Sequence, residues 1–240
     1  MSKVVRFADA AALAAGAANF FVRSAQEAIQ AHGMFTVALS GGSTPRALYH
    51  LLTDQLAYPV DWPRVHVFWG DERFVPPDHP DSNYRMAHEA LLAHVPVGAV
   101  HRIPSEPSPA AAAEAYEQTL GAYFSPSEGL DLTLLGLGQD GHTASLFPHT
   151  QALNEQSRHV VANEVPQLAA WRITLTASFI NTSKQILFLV SGADKTEALR
   201  RVWGPSQANE TPAQLIRPQH GRVWWYVDQA AWPDEIPTTL

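Results

Sequence analysis

At 240 residues, 46% of them hydrophobic, the chain can bury a full core and fits one α/β domain spanning 1–240. The absence of cysteine excludes disulfides, thiolate chemistry and Cys-ligated metals. A formal charge of −7 without a Lys/Arg cluster argues against nucleic acid, but a few cations focused in one cleft can still take a small anion.

No run has the length and apolarity of a membrane span, which predicts a cytoplasmic protein with no membrane partner. The Ala-rich stretch from Ala10 to Ala18 is too polar for a signal-peptide core, and its amphipathic pattern continues through Phe20, Phe21 and Ile29. It reads as a first helix, with Asp9 as N-cap. Strand-like runs follow: MFTVALS from Met34, VHVFWG from Val65, LDLTLLG from Leu130, VVANE from Val160, WRITLT from Trp171, QILFLVSG from Gln185 and RVWWYV from Arg222. Several are apolar on both alternating faces, the pattern of strands covered from both sides. Between them, Pro45 marks a helical first turn, Ser82 caps NYRMAHEALLAHV, and AAAAEAYEQTLGAYF and ADKTEALRRVW have helical periodicity. Alternating β and α elements predict a Rossmann-like, doubly wound, mainly parallel sheet with helices on both faces. The cluster Trp224-Trp225-Tyr226 reads as a buried late strand.

Four of these strands end alike. After MFTVAL comes SGGSTPR, after VHVFW comes GDERF, after LDLTLL comes GLGQDGH, and after QILFLV comes SGADK. In an open parallel sheet the carboxyl ends of the strands are where ligands bind, so these segments are expected to converge.

Each segment brings its own chemistry. Gly41, Gly42, Ser43 and Thr44 join a strand to a helix, offering close backbone approach, hydroxyls and the helix amino end to an anion; no Lys-Ser/Thr follows at P-loop spacing. Asp71 can bind hydroxyls or orient a base, and Arg73 can clamp a phosphate or carboxylate. Arg172 opens the ITLT strand, and Lys195 sits near a helix amino end, a poor place for a cation unless an anion lies close. Arg46 and Arg85 read as surface residues. In GLGQDGHTASLFP, glycines 136, 138 and 141 have the spacing of a dinucleotide loop, but Pro148 cuts the following helix short and no acid stands in the ribose position. His142, two residues from Asp140 on a glycine-flexed loop, is instead suited to proton transfer near neutral pH. The eleven histidines are scattered without HxxxH or HxH pairs, so no metal site is expected.

The motifs SGGSTPR, WGDERFVPPDHPDSNYRMA, LDLTLLGLGQDGHTASLFP and RITLT with ILFLVSGADK occur in the order found in 6-phosphogluconolactonases, and the chain resembles that family over most of residues 34–203. The resemblance implies a fold shared with glucosamine-6-phosphate deaminase, and hydrolysis of 6-phospho-D-glucono-1,5-lactone, a sugar-phosphate lactone of the pentose phosphate pathway, without a cofactor. It puts His142 in the general-base position, and the SGGST loop, Arg73, Arg172 and Lys195 around the substrate. Either Asp140 or Asp71 is then the partner of the imidazole. One departure stands ahead of Arg172, where the family often has a Pro-rich, Lys-containing segment and this chain has EVPQLAA. The deaminase carries a carboxylate five residues after the histidine; Phe147 stands there here, which argues for the simpler hydrolysis. A non-catalytic sugar-phosphate sensor and a nucleotide-dependent oxidoreductase are the alternatives from other classes. Oligomeric state is left open, and a monomer is compatible with the sequence.

Overall fold

A computed structural model describes residues 2–125 and 127–233. Its centre is a seven-stranded sheet in which every neighbouring pair is parallel. The strands are β1 (Ser2–Phe7), β2 (Phe35–Leu39), β3 (Val65–Trp69), β5 (Ala99–Val100), β6 (Leu132–Leu135), β9 (Gln185–Val190) and β10 (Arg222–Asp228), in the order β1-β10-β9-β6-β2-β3-β5. A second, three-stranded antiparallel sheet has the order β4-β8-β7, from β4 (Asp71–Arg73), β7 (Val160–Val165) and β8 (Ala170–Leu175). VVANE and WRITLT therefore leave the main sheet. Only four residues separate β7 from β8, too few for a parallel crossover, and the two strands close as a hairpin.

Helix α1 (Ala10–His32) begins where the Asp9 carboxylate accepts the Ala12 amide at 2.8 Å. It buries Leu13, Ala17, Phe20, Phe21 and Ala28, a stripe at helical spacing. Each of its large apolar side chains contributes roughly 1.5–3 kcal/mol by leaving water. Phe20 packs on Trp224 and Tyr226 of β10, at ring separations of 5.4 and 5.7 Å. Trp225, pointing the other way, stacks on Phe188 and meets Trp203 of α6 (Thr196–Trp203). Alternate residues of one strand thus meet helices on opposite faces, which is the doubly wound arrangement. All of β2 and β6 is buried, in keeping with their apolar runs.

Helix α2 (Ser43–Leu52) follows β2, and α3 (Asn83–Ala87) runs into a single π-helical turn over His88–Leu92. Helix α4 (Pro109–Gly121) packs on β7, where its Glu117 carboxylate accepts the amides of His159 and Val160 at 2.9 and 2.6 Å. The short α5 (Ala177–Ile180) precedes β9. No helix among the described residues is long and apolar enough to cross a membrane.

The strand order fixes where a ligand can enter. From β2 the chain builds outward through β3 to β5, then returns across β2 to start β6, β9 and β10 on the other side. The connections leaving β2 and β6 diverge, and this opens a crevice outside their carboxyl ends.

Candidate active site

That crevice is a cleft of about 600 Å³, and all ten residues singled out from the sequence line it: Gly41, Gly42, Ser43, Thr44, Asp71, Arg73, Asp140, His142, Arg172 and Lys195.

The β2–α2 loop is pinned by a buried tyrosine. Tyr49 donates its hydroxyl proton to the Ser40 carbonyl at 2.8 Å and accepts the Ser40 amide at 3.0 Å. The first amides of α2, at Ser43 and Thr44, have no acceptor within the helix and stand at its positive end, so they suit an anion. Gly41 is required sterically, since a Cβ there would run into the Asn83 carboxamide.

Asp71 and Glu72, adjacent in sequence, part company. Glu72 is buried and caps the start of α3, accepting the amides of Arg73, Asn83 and Tyr84 and the Ser82 hydroxyl at 2.7–3.0 Å. Asp71 stays at the cleft, where its carboxylate accepts the Ser145 hydroxyl at 2.6 Å and its carbonyl accepts the Asn83 side-chain amide at 2.9 Å. Ser145 is held in turn by Asn163, which donates to its carbonyl at 2.9 Å.

The β6 loop delivers the histidine. His142 Nδ1 lies 2.5 Å from Asp140 Oδ1, the same oxygen that accepts the His142 amide at 3.1 Å. A carboxylate accepts only, so Nδ1 carries the proton and Nε2 is the nitrogen with a free lone pair. Burial pushes the Asp140 carboxyl up, but the hydrogen bonds and charge of His142 outweigh it and hold the group below the usual carboxylate value. Phe147 stacks on the imidazole, with ring centres 4.1 Å apart at 25°. Between the two acids left open by the sequence, the imidazole's partner is Asp140. Asp71 is engaged by Ser145 instead, 74 residues away in the chain.

The cations come from both sheets. Arg73 of β4 and Arg172 of β8 are directly opposed in the antiparallel ladder. Arg73 donates to the Asp81 carbonyl and Arg172 to that of Trp171, and among the described residues neither forms an ion pair with a carboxylate. Burial first, then the Arg73 charge, lowers the Arg172 guanidinium from its ordinary value, with partial compensation from Asp71, Asp81 and Glu72. Lys195 ends the turn ahead of α6, its ammonium 3.0 Å from Asp194. Arg85 is held by Glu89 at 2.7 Å and lies outside the main cleft, as does Arg46. The divergent EVPQLAA segment forms the tight β7–β8 connection, and its only contribution to the cleft is Leu168.

Ser40, the first residue of the SGGST loop, also lines the cleft, whereas sequence reasoning missed Asn83, Gln139, Ser145 and Ser191 as lining residues. Ser145 lay inside a quoted motif, yet nothing local marks it as the partner of an acid on another strand. Among the described residues no group of three or more His, Asp or Glu side chains is arranged to hold a metal ion.

A parallel α/β sheet with a cationic cleft and a His–Asp pair at its switch point defines a class of proteins acting on small anionic metabolites. The family model for glucosamine-6-phosphate isomerases/6-phosphogluconolactonase matches residues 8–225. A 6-phosphogluconolactonase of Nostoc sp. is 43% identical over 231 residues, covering 93% of this chain and 94% of the relative. That of Mycobacterium tuberculosis is 37% identical over 234 residues, covering 93% and 94%. Among solved structures, 6-phosphogluconolactonase from Trypanosoma brucei superposes with a TM-score of 0.84 at 28% identity, covering 96% of this chain and 97% of that one. A monomeric glucosamine-6-phosphate deaminase matches with a TM-score of 0.80 at 22% identity, a likeness of fold alone. The chain belongs to the glucosamine-6-phosphate isomerase/6-phosphogluconolactonase family.

Proposed function

We propose that His142, oriented by Asp140, is the general base for hydrolysis of 6-phospho-D-glucono-1,5-lactone to 6-phospho-D-gluconate, in the oxidative branch of the pentose phosphate pathway. The chain is a lactone-hydrolysing enzyme, and the family's high-coverage relatives carry that activity in their names. The observation that carries the mechanism is the Nδ1 contact with Asp140, which leaves Nε2 to take a proton.

Nε2 removes a proton from a water as its oxygen attacks C1 of the lactone. The carbonyl electrons move onto oxygen in a tetrahedral intermediate, and as that collapses the C1–ring oxygen bond breaks. The imidazolium returns its proton to the leaving ring oxygen, and the resulting acid ionises. Asp140 stabilises the imidazolium between these steps. Donors for the oxyanion are available from Arg73 and from amides along Gly138–Gly141.

The distal phosphate is held by the α2 amides with Arg172 and Lys195. Binding energy spent there fixes C1 against the water, so the phosphate contributes to catalysis as well as affinity. Sugar phosphates do not cross membranes unaided, and the reaction belongs where they are made, in the cytoplasm.

A lactone hydrolysis assay against an enzyme-free control, paired with calorimetry using NAD(P) and 6-phosphogluconate, tests this reading. Lactone turnover with no NAD(P) binding is the expected result. Binding of 6-phosphogluconate without turnover would establish a sensor, and NAD(P) binding an oxidoreductase. Phe147 is packed on the imidazole at the position of the deaminase carboxylate, and without that carboxylate the deaminase reaction lacks its proton shuttle.

A further inference from the structure

Lys195 reaches the cleft already paired. Its ammonium sits 3.0 Å from Asp194 Oδ2, and that oxygen also accepts the side-chain amide of Gln139 at 2.9 Å. Gln139 lies between Gly138 and Asp140 in the loop that delivers the histidine, and its carbonyl accepts from Arg201 of α6 at 2.6 Å. The tie between Asp194 and Gln139 therefore links the loops after β6 and β9. The turn bearing Asp194 is anchored from behind by buried Asp228, whose carboxylate accepts the Ser191 hydroxyl at 2.5 Å and the Gly192 amide at 3.1 Å.

We infer that Asp194 sets the affinity of the cleft for anions: it neutralises Lys195 in the empty cleft, so that an incoming phosphate must draw the ammonium away from this carboxylate. The inference rests on the proposed role of Lys195 in holding the substrate phosphate. Arg73 and Arg172 have no such internal counter-ion among the described residues, which leaves Lys195 as the cation of the cleft whose availability is set by a competitor. The pair is partly exposed, with side-chain exposures of 25% for Lys195 and 49% for Asp194, so the competition is modest and reversible.

Asp194→Asn retains an oxygen to accept from Gln139 and removes only the charge. It should tighten binding of 6-phosphogluconate and of inorganic phosphate by about two- to five-fold, the range expected for an exposed ion pair. A gain of affinity is not what a loosened loop produces, and this separates the charge effect from a structural one. Calorimetry on the wild type, Asp194→Asn and Lys195→Ala decides the matter. Tighter binding in the first variant with weaker binding in the second supports the inference. Unchanged or weaker binding in Asp194→Asn, with Lys195→Ala still weakened, overturns it and leaves the phosphate assignment standing. Unchanged binding in Lys195→Ala removes that lysine from the phosphate site and overturns the inference with it.

Discussion

Arg73 and Arg172 face each other across the β4–β8 ladder, two guanidinium groups in register without a carboxylate paired to either among the described residues. Like charges directly opposite in a sheet oppose folding, so the arrangement costs stability in the empty protein. A bound anion would relieve that cost.

Arg172→Ala should therefore raise KM for the lactone by about tenfold or more, the loss expected for a hydrogen bond to a charged group. Its melting temperature should be unchanged or slightly higher, because the repulsion from Arg73 is gone. Steady-state kinetics and a thermal melt on the same preparation check both halves. A lower melting temperature with an unchanged KM would make Arg172 a structural residue.

Gly138 carries a different constraint. A Cβ at this position would overlap the His142 imidazole and the Asp140 carboxylate. Gly138→Ala should displace the ring and lower kcat by about tenfold to a hundredfold, as expected for a reacting group moved by a fraction of an ångström to an ångström. KM should change little, since the phosphate contacts lie on other loops. Wild-type kcat in this variant would mean that the ring position is not critical.

Asp140 makes a prediction about pH. Its carboxyl lies below the usual carboxylate value in the folded protein, so its contribution to stability is present above the unfolded value and is lost only as pH falls through the lowered one. The group stays ionised through the range from about pH 8 to about pH 5 in which imidazoles ordinarily titrate. The acid limb of kcat/KM should then fall with the slope of a single proton, after subtraction of the spontaneous rate at each pH. A two-proton slope in that range would show that Asp140 does not stay ionised there.

Much of this site could be read from the chain because its key groups are local. The glycines, Asp140 and His142 stand within a few residues on one loop, and apolar runs mark the strands whose ends carry the other motifs. What escaped was nonlocal. The strand Asp71–Arg73 is made of three charged residues and bears no strand signal, so the second sheet, and with it the facing of Arg73 and Arg172, was not visible. Strand β1 escaped because its partly exposed Lys- and Arg-bearing sequence is that of a sheet edge. The choice between Asp140 and Asp71 depended on a contact from Ser145 to Asp71 across 74 residues, which no spacing rule anticipates.

The most direct test of the account is turnover by His142→Ala, measured against the enzyme-free rate, together with calorimetric binding of 6-phosphogluconate. Loss of about 10²- to 10⁴-fold in kcat, with product affinity close to wild type, is the predicted result for a general base that does not hold the phosphate. Near-normal turnover in that variant would contradict the assignment of His142.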